Sequence, residues 1–423
     1  HNNQVPSQVS PTTYRAKPTA TRTHVPSLAM LASRVLHFRT SLSTSTATAA
    51  TATTTATRKS RHILKSIYAA EREEGMGATV RRSLGTIQQR HDDPFLLLDE
   101  FWVGSRGGFP DHPHRGFETV TYLFRGQMQH EDFAGHEGTI GPGDLQWMTA
   151  GRGVVHCEMP VSAVNRNDNN NKGQAGAGTG TGTGAGANTT LRPSQDPEAT
   201  HGLQLWVNLS KSDKRCDPAY QDLRDDQIPR ARPQDGVEVK VIAGEAHGIK
   251  SKVYTRTPTM YLDYRMQKHQ TVEQAVPRDY SGFVYMLSGK AFFGGEEGAI
   301  STNNNAEKNK KAEVDLSRNH AVINTTPEQP FKGQAHQALI LSRGDNDNET
   351  DHLRIKTTDQ EAHFVILLGK PLKEPIVMDR LFIMNTQEET QQALQDFRES
   401  KNGFERAKEW RSKIAPKGYR LKF

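Results

Sequence analysis

Four residues of this 423-residue chain have the types and spacing of a metal site. His112 and His114 stand two apart in Phe109-Pro-Asp-His-Pro-His-Arg-Gly-Phe-Glu-Thr-Val120; His156 and Glu158 do so in Gly151-Arg-Gly-Val-Val-His-Cys-Glu158. On a β-strand alternate side chains share a face, so each pair presents both groups to one side. Three neutral imidazoles and one carboxylate suit a borderline divalent ion such as Fe, Mn, Ni or Zn. Four protein ligands on an octahedral ion leave two positions open, as dioxygen or a chelating substrate requires, whereas a structural zinc closes its shell at four. Spacing alone does not choose between these, nor does it dispose of Glu118, which has the parity of His112 and His114. Val120, Tyr122 and Phe124 share that parity, which predicts a ligand cluster at a barrel mouth above an apolar interior. Cys157 has the opposite parity to its neighbours and reads as a packing residue.

The elements that must position these groups read mainly as β. Phe117–Phe124, Gly202–Leu209 and Val237–Ile242 alternate at period two, and Gly/Pro turns such as Gly141-Pro-Gly-Asp144 punctuate the chain at short intervals. Many short strands with such turns predict a sandwich or barrel. Val253–Tyr264 and Gly282–Phe293 repeat the pattern, which predicts a second barrel of the same kind. Helix is expected only late: Thr386-Gln-Glu-Glu389 is a capping box that leads into Ala393, Leu394 and Phe397, with a further helical piece through Phe404–Trp410.

Composition bounds the function. Hydrophobic residues make up 34% and mean hydropathy is −0.73, so polar tracts should surround ordinary cores. The net charge of +6 is unevenly placed. Arg15, Lys17, Arg22, Arg34 and Arg39 lie in the first 57 residues without an Asp or Glu, and leave a near-neutral body. That placement argues against direct nucleic-acid binding. Two cysteines, Cys157 and Cys216, cannot build a disulfide framework and fit a reducing compartment. No apolar run reaches the ~20 residues of a membrane span.

Residues 1–57 read as a disordered leader, and Met30–Thr57, rich in Ser, Thr and Ala with Arg34 and Arg39, reads as an organellar presequence beginning at Met30. On that reading the protein is mitochondrial or otherwise organellar; an untargeted leader would leave it cytoplasmic or nuclear. Residues 165–197, 301–313 and 345–351 read as loop inserts within domains spanning 58–210 and 211–423.

Longer motifs point to a family. Gly108–Val120, Asp144-Leu-Gln-Trp-Met-Thr-Ala-Gly-Arg-Gly153, His201–Leu209, Gly248-Ile-Lys-Ser-Lys-Val-Tyr254 and Ser400-Lys-Asn-Gly-Phe-Glu-Arg-Ala407 closely resemble the pirin family. The resemblance runs from about Ile63 to Lys413, interrupted by the inserts. It implies an all-β fold of two tandem cupin barrels, the jelly-roll type, with a short C-terminal helical segment. It implies one iron, Fe(II), held in the first barrel by His112, His114, His156 and Glu158, with Glu118 left behind the ligands or in the pocket. The second barrel, with His320, His336, His352 and His363 scattered, is expected to hold no metal.

The resemblance implies two functions. One is quercetin 2,3-dioxygenase activity, in which dioxygen attacks a chelating flavonol and Glu158 takes the hydroxyl proton; Val120, Tyr122, Phe124, Trp147 and Met148 would wall the pocket. The other is a redox-sensing transcription co-regulator whose iron state alters binding to a protein partner.

Overall fold

The computed structural model describes residues 60–164, 192–295, 321–323, 329–344 and 351–416. The leader, the 301–313 insert and most of the other two inserts lie outside those residues; Pro193–Gln195 forms a short 3-10 turn.

The first half of the described chain is a run of strands: β1 (Ile63–Tyr68), β2 (Glu71–Glu74), β3 (Met76–Leu84), β4 (Phe95–His114), β5 (Phe117–Arg125), β6 (Met128–Asp132), β7 (Glu137–Ile140), β8 (Leu145–Thr149), β9 (Val154–Pro160), β10 (Thr200–Asn208) and β11 (Ala219–Leu223). All but β1 join one antiparallel sheet in the order β11-β8-β5-β10-β4-β9-β6-β7, with β3 on β4 and β2 on β3. The sheet curls because β4 serves two walls. Its first half, Phe95–Val103, pairs with β10, and its second half, Phe109–His114, pairs with β9. The bend falls at Gly104-Ser-Arg-Gly-Gly108, where a Cβ on Gly107 would lie 2.5 Å from the Gly77 carbonyl oxygen. Only glycine allows that backbone approach.

A second antiparallel sheet, built from Arg230–Gln234, Val237–Ala243, Thr259–Met266, Ser281–Phe293, Gln337–Leu341 and Ala362–Gly369 among others, forms the second barrel. Two tandem barrels with one C-terminal helix, Gln387–Glu399, agree with the expectation. The helix starts where the capping box places it: Thr386 Oγ1 accepts from the Glu389 N–H at 3.2 Å, and the Glu389 carboxylate accepts from the Thr386 N–H at 3.2 Å. Phe404–Trp410, expected as helix, is a series of hydrogen-bonded turns. The strand expected from Val253 begins only at Thr259.

The sheets do not divide at residue 210. Strand β1 pairs with Gln337–Leu341 of the second barrel, and β11 pairs with β8 of the first. Each half thus lends a strand across the expected boundary: β11 ends the first sheet, and β1 lies between Gln337–Leu341 and Ala321–Ile323 of the second.

The barrels meet face to face. Val120, Tyr122, Leu145, Trp147, Leu203 and Leu205 from the first pack with Tyr261, Phe283, Tyr285, Val365 and Leu367 from the second. Such sheet-on-sheet burial contributes about 1.5–3 kcal/mol per large side chain. Polar groups cross the same seam. Tyr122 donates to Asp263 at 2.6 Å and Tyr285 donates to Glu100 at 2.8 Å. His336 of the second barrel also reaches Glu100, at 2.8 Å, while His363 lies 2.6 Å from Asp263 and His201 2.9 Å from Glu100, each within its own barrel. His336 and His363 thus have structural partners, while His320 lies outside the described residues.

The interior of the second barrel is filled by hydrocarbon, including Val239, Leu262, Val284, Phe293, Phe364 and Ile366. Tyr264 stacks on Phe364 at 5.3 Å and donates to Gln274 at 2.5 Å.

Candidate metal centre

The ladder between β4 and β9 brings the two short motifs together. His112 stands opposite His156, and His114 opposite Val154. Directly opposed residues share a face, so the alternation along each strand and the pairing across them converge on one point. His112, His114 and His156 form a group that could hold a metal ion, with candidate ligand atoms all within 4.8 Å of one another. No other such group of three or more occurs among the described residues.

The atoms fit an ion. The Nδ1 of His112 lies 2.8 Å from the Pro110 carbonyl oxygen, which can only accept, so Nδ1 carries the proton and Nε2 presents its lone pair. That Nε2 lies 2.9 Å from the Nε2 of His156. Two nitrogens bound at right angles to one ion with metal–nitrogen bonds of 2.0–2.1 Å would be about 3 Å apart. The Nδ1 atoms of His114 and His156 are buried with no hydrogen-bond partner. Burial lowers the His112 pKa to about 4, with the Pro110 carbonyl opposing, and holds His114 and His156 well below the ordinary imidazole range. All three are therefore neutral with lone pairs available, as metal ligation requires.

Glu158 lies beside the triad, with Oε2 3.9 Å from the Nε2 of His156. It is fully enclosed, and burial raises its pKa against the field of His130 and hydrogen bonds from Thr121 and Gln204. Thr121 donates to one oxygen at 3.3 Å and Gln204 to the other at 3.4 Å. Gln204 is itself held by the Trp206 indole N–H at 3.3 Å.

Spacing did not single out Thr121, Gln204, Trp206 or His130. The signal was present for two of them: Gln204 and Trp206 alternate along β10 on one face. His130 reaches the site because it stands opposite Glu158 across the β6–β9 ladder.

Several expected site residues lie elsewhere. Glu118 is on the face of β5 opposite Thr121; Thr149 donates to it at 2.7 Å and it does not join the triad. Val120, Tyr122 and Trp147 lie in the seam between barrels, with Phe124 packed against its edge, and none lines the cavity at the histidines. Met148 packs with Phe133, Val154 and Phe404. The common reason is the turn at Arg115-Gly116, where Gly116 takes φ +87°, so parity counted from His112 does not carry into β5. Cys157 packs with Met159, Ala163 and Ile414, away from the triad.

A cavity of about 860 Å³ opens onto His112, His114 and Glu158. Phe101, Phe109, Leu97, Trp206 and Leu381 wall it with apolar surface, and Arg82, Arg90 and Arg380 stand among its polar residues. That size and lining suit a ligand of several fused or linked rings.

A family model described as Pirin matches residues 77–175, and one for the Pirin C-terminal cupin domain matches residues 305–403. Human Pirin is 42% identical over 84% of this chain and 98% of its own length. Pirin-like protein 2 of Arabidopsis thaliana is 40% identical over 84% of this chain and 89% of its own. Among solved structures, a quercetin 2,3-dioxygenase from Acinetobacter baumannii is 26% identical, covers 81% of this chain and 98% of that one, and has a TM-score of 0.58. GK1651 from Geobacillus kaustophilus is 30% identical over 75% and 99% of the two chains, with a TM-score of 0.55. With both barrels matched in order and relatives alike over nearly their whole length, this chain belongs to the pirin family.

Proposed function

We propose that this chain is a metal-dependent dioxygenase of chelating flavonols such as quercetin, cleaving the ring by 2,3-dioxygenation. The observation that carries this reading is the neutral triad, with Glu158 beside it, two of whose histidines and the carboxylate open onto a cavity of about 860 Å³ with aromatic and aliphatic walls. The similarity to a solved quercetin 2,3-dioxygenase from Acinetobacter baumannii supports it.

His112, His114, His156 and Glu158 would hold the ion, Fe(II) on this reading, with Mn, Ni and Zn the other divalent ions the donor set accepts. When bound, that ion supplies an electrophilic, redox-capable centre with positions for dioxygen and the flavonol oxygens. The protein's own contribution is a base and a dry, shaped wall. Glu158 accepts the flavonol hydroxyl proton. Thr121 and Gln204 hold the carboxylate in place, and Phe101, Phe109 and Trp206 hold the rings and exclude water.

The test loads the purified chain with Fe(II) under argon and adds quercetin and oxygen, following carbon monoxide release and flavonol absorbance. Turnover is expected. Absence of turnover by the loaded protein beside an active control enzyme would sink the proposal. Metal analysis of His114→Ala tests the ligand set: occupancy should fall at least about tenfold, and wild-type occupancy would refute it.

A further inference from the structure

We propose that Arg115 and Asp396 position the metal-binding strands, so that the C-terminal helix sets the geometry and affinity of the metal site. This rests on the metal-site reading above. The candidate ligands sit on two strands, β4 and β9, whose ladder ends at His114 opposite Val154. Beyond that pair the strands are joined by the Gly116 N–H donating to the Gly151 carbonyl at 2.8 Å and by Arg115.

Arg115 follows His114 directly and is 1% exposed. Its Nε donates to the Arg152 carbonyl oxygen at 2.6 Å, on the turn that launches the strand of His156 and Glu158. Its Nη1 donates to Asp396 Oδ2 at 2.8 Å, and its Nη2 donates to the Asn402 carbonyl oxygen at 2.6 Å. The ring of Phe404 lies 4.6 Å beneath the guanidinium. One planar fork thus ties the end of one ligand strand, the start of the other and the end of the helix.

Asp396 is fixed in turn. Its Oδ1 accepts from Gln392 and Asn402, each at 2.9 Å, and its side chain is 1% exposed. The backbone repeats the tie, since the Ile383 N–H donates to the Arg115 carbonyl oxygen at 3.0 Å. Close packing requires glycine at the contact: a Cβ on Gly153 would lie 2.8 Å from the Phe404 ring, and one on Gly403 would lie 2.6 Å from the Arg152 carbonyl oxygen. The motifs Arg115-Gly116, Gly151-Arg-Gly153 and Asn402-Gly-Phe404 therefore meet at one buried charge.

The test titrates the chelator-treated full chain with Co(II), reading affinity and ligand-field absorption bands. Asp396→Asn and Arg115→Lys, which keeps the charge but not the fork, should each bind Co(II) about tenfold more weakly with shifted bands. Leu339→Ala, a cavity in the second barrel's interior, destabilises the chain and should leave affinity and bands unchanged. If Asp396→Asn and Arg115→Lys fail to fold, Phe404→Leu takes their place, with about threefold weaker binding expected from losing the ring beneath the guanidinium. Wild-type affinity and bands in these variants, or a change matched by Leu339→Ala, would overturn the positioning role while the metal site stands. Full Co(II) binding by His114→Ala would overturn the metal site, and this role with it.

Discussion

Replacing Glu118 by Gln should stabilise the protein at alkaline pH while leaving metal occupancy unchanged. Glu118 is completely buried on the seam face of β5. Burial raises its pKa from the ordinary 4.5 to about 7, against the opposing pull of Thr149, Trp147 and Arg256. A folded pKa above the unfolded one means the native state binds the proton more tightly. Its contribution to stability is therefore intact below about pH 4.5 and is lost as pH rises through about 7. Ionising a carboxyl whose pKa stands at about 7 in place of 4.5 costs the native state about 3 kcal/mol once both states are charged. Gln keeps the shape and can still accept from Thr149, but it does not titrate. Urea unfolding of chelator-treated wild type and Glu118→Gln should agree within about 1 kcal/mol near pH 5, and the variant should be about 2–3 kcal/mol more stable near pH 9. Parallel pH profiles would refute the burial argument. Lost metal occupancy in the variant would refute the assignment of Glu118 to the seam.

Glu100 should behave in the opposite sense. Burial would raise its pKa, but hydrogen bonds from His201 and His336 hold it at about 2, so its contribution is present above the ordinary 4.5 and is lost as pH falls through about 2. Acid unfolding followed by near-ultraviolet circular dichroism should show a shallower acid limb in Glu100→Gln. Gly107→Ala should cost about 1–3 kcal/mol in chemical unfolding, because its Cβ meets two backbone carbonyls, whereas Gly135→Ala, with open space around it, pays only for its positive φ.

Much of the fold was legible in the residues. Period-two alternation with Gly/Pro turns marked strands of two barrels, and the capping box at Thr386 marked the start of the C-terminal helix. The boundary between barrels was not legible. β1 and β11 cross it, and which ladder a strand joins depends on where the rest of the fold has placed its partners.

For the site, local spacing determined that His112 and His114 share a face, and that His156 and Glu158 do. Alternation of side chains along an extended strand is a property of the backbone itself, so a single sequence suffices to show it. Only tertiary structure decided that β4 and β9 are neighbours in the register that sets His112 against His156. Only it showed that Glu118 faces the seam, because the turn at Gly116 resets the parity on which its candidacy rested. The same holds for Gln204, which reaches Glu158 from 46 residues away, and for Asp396, which reaches Arg115 from 281. Spacing along a strand encodes which groups point together; long-range pairing of strands decides which of them meet.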